Sequence, residues 1–447
     1  MDGKLETLRQ SLAAKAPYRA GVVDVDPKNL ILFYGKDRKA GRIDFNDVTS
    51  EELEHLASTC DPATFGVKNE DVFDESYRKA GKLDSDFFAS RLDLDATKLL
   101  DMALDDLMEG DGDPRARVEA EIYKLNVYGE GSFFKPHVDT PRGENMFGSL
   151  VIVFKTPHEG GSLIVRDHGQ EWTFDSAGAV ATHEEPCVGY IAFYSDVEHE
   201  VTPVTKGYRV TLTYNLYSTE KPLSIDHPHL TSDAEKIKVN LQALLDDPSF
   251  LPEGGYLGFG LNRYYPVPRF DVNRDFNTII HNLKGNDAAL VAACKDLPIK
   301  AHFRAALRTD VQLGVYVVSP MFDLIDIPYH YYVEGPLTYY LREYFGGLVV
   351  NPRRRLKNSN KDRSNGQDLP DESSYPDDYD DEDPRPDIEV FWVNRLQEHS
   401  NQLQSPVLCY GNEPSWEYLY AYICLIASIG PYGARDAKWD GGKVQSQ

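Results

Sequence analysis

The sequence predicts a mainly β protein with flanking helices, of α+β class, and three observations predict it. Across residues 117–218, short β-branched and aromatic runs alternate with Gly and Pro turns, the texture of an antiparallel sandwich or barrel. Before that segment leucines recur at helical spacing, and after it helical and extended stretches intermix over 232–447. At 447 residues the chain also exceeds one typical core, so two or three domains are expected.

Taken in order, residues 1–116 read as a mixed, partly helical N-terminal buttress. Leu30 to Tyr34 (LILFY) is a candidate strand, and Ser50 is placed to cap a helix from Glu51 to Ser58. Leu92, Leu94, Leu99, Leu100, Leu104 and Leu107 define an amphipathic helix over Asp93 to Glu109, which EGDGDP breaks. The runs VEAEIYKLNVY, SLVIVFK, GSLIVR, EWTFD, GYIAFY, HEVTPV and YRVTLTYNLY then supply the strands of 117–218. A linker, KPLSIDHPHL, closes this domain. The C-terminal unit, 232–447, has helices around Asp233 to Leu245 and Asp287 to Lys295, with strands at 311–319 and 388–393. Within it residues 356–387 are hydrophilic, Asp-rich and punctuated by Pro without apolar periodicity, and read as a disordered loop. The sequence shows no internal repeat.

Composition narrows the partners. The net charge is −25, and between residues 368 and 387 ten acids face Arg385 alone. Such a field repels phosphate backbones, so a nucleic-acid substrate is disfavoured, whereas the acidic loop suits a basic partner. The five cysteines, at 60, 187, 294, 409 and 424, are scattered and lack a C-x-x-C, as expected of reduced thiols in a cytoplasmic or nuclear protein. The opening MDGKLETLRQ is too polar for a signal-peptide core. Ala421 to Ile429 falls far short of the ~20 apolar residues that span a bilayer, so no membrane association is expected.

Among the twelve histidines only His137 (His137-Val138-Asp139) and His183 (His183-Glu184-Glu185) have a carboxylate two residues on. In an extended strand, residues i and i+2 point to the same side, so either pair could present two ligands to one metal. A lone pair of this kind is ordinary on the wet face of a strand, and context separates the two. His199 lies sixty residues past Asp139, room for several strands to wrap and return. His183 is too close to His199 for that return and sits before Pro186, so it reads as a loop. Two His and one carboxylate on one face leave open positions on an octahedral iron for a chelating keto acid and O2. Such a keto acid needs a cation at its far carboxylate. Arg209, ten residues past His199, alternates with Thr211 and Thr213 on the polar face of its strand.

YGEGSFFKPHVDT, EGGSLIV, YSDVEHEVTPV and GYRVTLTYNLY together resemble the prolyl 4-hydroxylase-like 2-oxoglutarate/Fe(II) dioxygenases, and LKGNDAALVAAC and YGNEPSWEYLYAYICLIASI in the C-terminal half resemble fungal-type members. The resemblance covers about a hundred residues. It implies a double-stranded β-helix, or jelly-roll, oxygenase core over 117–218, with iron on His137, Asp139 and His199. It also implies 2-oxoglutarate on Arg209, with Tyr128 and Thr211 as further co-substrate contacts and Gly160-Gly161 at a turn between strands. Fe(II), 2-oxoglutarate and O2, with ascorbate as an accessory, are the cofactors it implies, and no side-chain acid or base beyond the iron site is required. Asp139 argues for hydroxylation over halide transfer, which leaves that position to chloride. Prolyl hydroxylation of a protein or peptide is the family default. The alternatives are a small-molecule oxygenase of secondary metabolism and a non-catalytic scaffold or sensor that keeps the fold. The sequence departs from the nucleic-acid demethylases of the superfamily, which carry a second Arg six residues past the first; here that residue is Asn215. Phe133, Phe134 and Tyr190 read as core aromatics near the site.

Overall fold

A computed structural model describes residues 1–13, 15–67, 70–104, 107, 118–219, 232–268, 279–280, 282–297, 299–308, 315–318, 348–350, 389–394, 410–411 and 418–437. The EGDGDP breaker, the KPLSIDHPHL linker and the 356–387 acidic segment lie outside those residues.

Two antiparallel sheets build the first core, as the strand texture of 117–218 predicts. The major sheet runs Tyr18–Asp24, Cys187–Tyr194, Met146–Phe154, Arg209–Ser218, Val118–Tyr128, Gly81–Asp84 and Asp61–Pro62. The minor sheet runs Gln170–Phe174, Leu163–Asp167, Glu198–Val201, Phe133–His137 and Arg78–Lys79. One apolar cluster covers both faces of the major sheet: Val151, Ile191 and Phe193 share the face that carries Ser149 and Thr213, with Val165 of the minor sheet in the same cluster, and Leu125, Leu150, Ile152 and Leu212 lie on the opposite face. Strand Met146–Phe154 is buried at every position, because it sits mid-sheet with both faces covered. This is the fold class expected, mainly β with flanking helices.

The N-terminal segment adds strands to both sheets as well as helix. Leu30 to Tyr34 falls within strand Ile31–Lys36 apart from its first residue. The helix predicted from 51 to 58 spans Ser50–Thr59, but its cap is Thr49, not Ser50. The Thr49 hydroxyl accepts from the Glu52 N–H at 3.2 Å while Glu52 accepts from the Thr49 N–H at 2.9 Å, a capping box. Of the helix expected over 93–109 the described part is Leu99–Leu104, and it starts six residues later than expected. Asp93 accepts from the N–H groups of Asp95 and Ala96, and Lys98 adopts φ 55°, so the chain turns before the helix begins. Leu99, Leu100, Ala103 and Leu104 still enter the core as a buttress.

The C-terminal unit contains a six-stranded sheet with Lys300–Arg308, Tyr418–Ile429 and Gly255–Pro268 at its centre, covered by helices Ser232–Leu245 and Gly285–Asp296. The N-terminal helix Asp2–Ser11 packs into this second core through Leu5 and Leu8, so the chain's first residues belong to its last unit. Of the expected strands 311–319 and 388–393, the described parts are Val315–Val318 and Val390–Trp392.

Candidate metal and co-substrate site

His137 ends strand Phe133–His137, and His199 lies in strand Glu198–Val201; the two are opposite each other in the antiparallel register. The pairing does what sequence distance conceals, placing two imidazoles on one face. Asp139 follows His137 by two residues along the same extended path. His137, Asp139 and His199 each offer a ligand atom within 4.8 Å of the others, all three buried, and they are the one such group among the described residues.

Backbone carbonyls aim both rings. Nδ1 of His137 donates to the Lys135 carbonyl at 2.9 Å and Nδ1 of His199 to the Val197 carbonyl at 3.0 Å. A carbonyl can only accept, so the proton sits on each Nδ1 and leaves Nε2 as the available donor atom. His199 Nε2 stands 3.8 Å from Asp139 Oδ1, and Asp139 Oδ2 accepts from the Ser149 hydroxyl. Burial, with the neighbouring His199 and Arg78 as smaller causes, holds His137 well below the usual imidazole pKa. It is therefore neutral, the state a metal ligand needs. Phe134 stacks on the His137 ring at 3.5 Å and Phe193 leans on His199 at 4.5 Å, so apolar walls flank the donor atoms.

Arg209 enters the same cavity from the major sheet, where it pairs with Tyr128 in the register of strands Val118–Tyr128 and Arg209–Ser218. Its guanidinium lies 5.5 Å from the Tyr128 ring and the residue is 1% exposed. Among the described residues, Nε and Nη2 of Arg209 find no hydrogen-bond acceptor. Desolvation lowers its pKa to about 10, which leaves it charged at neutral pH. A buried cation of this kind calls for an anion, and a carboxylate matches the guanidinium fork. Gly161 makes its place: at φ 68°, a Cβ there would stand 2.8 Å from Arg209 Cδ and 2.8 Å from Val204 Cγ2. The donor set of two imidazoles and a carboxylate thus fits a divalent transition metal such as Fe(II), and the unpaired guanidinium fits the far carboxylate of a keto acid.

Thr211 lines the cavity with Tyr128, as the alternation along their strands implies. Phe134 lines it too, so its part exceeds the core packing expected, whereas Tyr190 belongs to the core and Phe133 is half-buried in the minor sheet. His183 occupies a loop, as read, and bonds through Nε2 to Asp24 Oδ1. Sequence reading missed Arg78, Asn126, Ser149 and Phe193. Asn126 was within reach, since period-2 alternation puts it on the face of Tyr128. Arg78 gave no signal: it lies in a two-residue strand, donates to the Thr64 carbonyl and Asn126 Oδ1, and covers the Phe134 ring at 4.3 Å.

No curated protein matches the chain. Among solved structures, a 2OG-Fe(II) oxygenase family oxidoreductase from Burkholderia pseudomallei is 22% identical, covering 22% of this chain and 44% of that one, with a TM-score of 0.18. The match therefore spans less than half of that relative. A Pseudomonas putida prolyl-4-hydroxylase is 20% identical over 48% of this chain and 98% of its own, with a TM-score of 0.29. A Trichoplax adhaerens prolyl hydroxylase, solved with a hypoxia inducible factor oxygen degradation domain peptide fragment, is 13% identical over 47% and 90%, with a TM-score of 0.25. The 2OG-Fe(II) oxygenase superfamily profile matches residues 123–217, the segment that holds His137, Asp139, His199 and Arg209, so this chain carries a 2OG-Fe(II) oxygenase domain.

Proposed function

We propose that this chain is a 2-oxoglutarate- and Fe(II)-dependent dioxygenase that hydroxylates an unactivated C–H bond, in the manner of a prolyl 4-hydroxylase, on a protein or peptide. The observation that carries the reading is the unpaired, buried Arg209 in the cavity that gathers His137, Asp139 and His199. In this reading Nε2 of the two histidines and the Asp139 carboxylate hold iron, and Ser149 keeps Asp139 turned toward it. Arg209 receives the far carboxylate of 2-oxoglutarate, with Tyr128 and Thr211 alongside. Iron and 2-oxoglutarate together supply oxygen activation, coupled to decarboxylation of the co-substrate to succinate. Phe134 and Phe193 keep bulk water from the donor atoms. Ascorbate would serve as an accessory reductant. Prolyl specificity rests on the motif resemblance. Residues 356–387 are assigned to a basic partner on their charge alone, and a cytoplasmic or nuclear site of action is in keeping with the free thiols of Cys60, Cys187, Cys294 and Cys424.

The test is succinate formation from 2-oxoglutarate with Fe(II), with and without a peptide library read for a 16-Da gain by mass spectrometry. His137→Ala is expected to lose both metal and turnover. Arg209→Ala should keep the metal but require far more 2-oxoglutarate, and an unchanged requirement would overturn the co-substrate assignment.

A further inference from the structure

Three residues before His199, the turn between strands Cys187–Tyr194 and Glu198–Val201 carries Asp196. The turn is closed by the Val197 N–H donating to the Tyr194 carbonyl at 3.1 Å, and the Ser195 N–H ties it to the neighbouring strand by donating to the Phe147 carbonyl at 3.0 Å. Its product is the Val197 carbonyl that accepts from His199 Nδ1. Both oxygens of Asp196 are gripped by the C-terminal unit. Lys284 Nζ lies 2.7 Å from Oδ1, and the Tyr264 N–H donates to Oδ2 at 3.0 Å. The side chains of Lys284 and Asp196 are 2% and 3% exposed.

A second tie runs alongside. Arg263 Nη2 donates to Asp167 Oδ2 at 2.8 Å. Asp167 ends strand Leu163–Asp167, whose Val165 is the register partner of His199. Both cations also cover the Tyr194 ring, at 5.0 Å for Arg263 and 5.7 Å for Lys284. Their own backbone is locked: Asp287 accepts from the N–H groups of Asn262 and Arg263 and from the Tyr265 hydroxyl, which in turn accepts from the Lys284 N–H.

Resting on the metal-site reading above, we propose that Lys284 and Arg263 are positioning residues for His199. A buried ion pair adds little net stability over an apolar pair of similar volume, because desolvation offsets the attraction. What this network supplies is direction: it holds the turn and the strand end that flank His199, so the imidazole is aimed before metal arrives. The C-terminal unit is in this way part of the metal site while donating no ligand to it. Partners bonded directly to a ligand set metal affinity by about ten- to a hundredfold, and for His199 that partner is the Val197 carbonyl on the turn these cations hold.

The experiment uses the full chain and Co(II) as probe, reading affinity and the visible absorption of bound Co(II), with urea melts in parallel. Lys284→Met is expected to weaken Co(II) binding about tenfold or more and to change its absorption spectrum, while Lys284→Arg recovers much of both. Leu290→Ala, in the core of the C-terminal unit, should lower stability yet bind Co(II) as the wild type does. Where Lys284→Met leaves Asp196 unpaired and fails to fold, the double variant Lys284→Met with Asp196→Leu removes both charges and carries the same expectation. A folded Lys284→Met, or that double variant, with wild-type affinity and spectrum overturns the proposal, as does an equal loss in Leu290→Ala. A wild-type chain that takes up no Co(II) removes the metal-site reading itself, and this proposal with it.

Discussion

Arg209 is buried at 1% exposure with Nε and Nη2 unpaired among the described residues, so its charge is desolvated without full compensation. Replacing it with a residue of similar length and no charge removes that penalty. Arg209→Met is expected to stabilise the ligand-free protein by about 1–3 kcal/mol while weakening 2-oxoglutarate binding about a hundredfold. Urea melts without co-substrate and a 2-oxoglutarate titration of the metal-loaded protein check the two halves, and a destabilised variant would show that the fold itself pairs Arg209. Ser149→Ala addresses the other anchor. It removes the hydroxyl that orients Asp139, and metal affinity should drop about tenfold with little change in fold. That His137, Asp139, His199 and Arg209 gather in one cavity was legible because H-x-D, a distant His and an Arg ten residues on are spacings along the chain. Ser149, Phe193 and Arg78 were not, because their roles depend on which strands become neighbours. The same holds for Lys284 and Asp196, eighty-eight residues apart in sequence and 2.7 Å apart in space.

Among the elements, the strands of 117–218 were the most legible, since alternation and β-branched composition report a half-buried or buried sheet directly. VEAEIYKLNVY corresponds to strand Val118–Tyr128 residue for residue. HEVTPV divides into Glu198–Val201 and Val204–Gly207, because Pro203 cannot donate to a ladder and the chain changes sheets there. The leucines of 92–107 are buried as a helix would bury them, but local bonds from Asp93 outcompete the helix over its first turn. Thr49 and Ser50 are both acceptable caps by composition; only Thr49 stands three residues before Glu52, which is what the reciprocal box requires. Thr49→Ala should therefore cost about 1 kcal/mol of stability, with Ser50→Ala within about 0.5 kcal/mol of wild type. Thermal melts of the two variants separate them, and equal losses would return the cap to Ser50.

At the scale of the whole molecule, an acidic chain of net charge −25 places several of its cations inside, where they face the candidate site or join the two units. Arg209, Arg263 and Lys284 are each buried. The pair formed by Lys284 and Asp196 joins the two units, and it makes their union sensitive to acid. Burial alone would raise the Asp196 pKa, but the charges of Lys284 and Arg263, with the bonds from Lys284 and Tyr264, outweigh it and hold the carboxyl below its ordinary value. An acid whose pKa is depressed on folding contributes stability above its unfolded value near 4 and loses it as pH falls through the folded value. The wild type should therefore lose stability faster than Asp196→Asn on going from about pH 5 to about pH 3, because the amide has no proton to take up. Above about pH 5 the order reverses in meaning: Asp196→Asn is the less stable protein there, since Lys284 is left buried without its anion. Urea melts of both proteins across that range read the difference directly. Parallel curves would show that Asp196 keeps its ordinary pKa in the folded chain, and that the contact between the units is held by packing instead of by this charge pair.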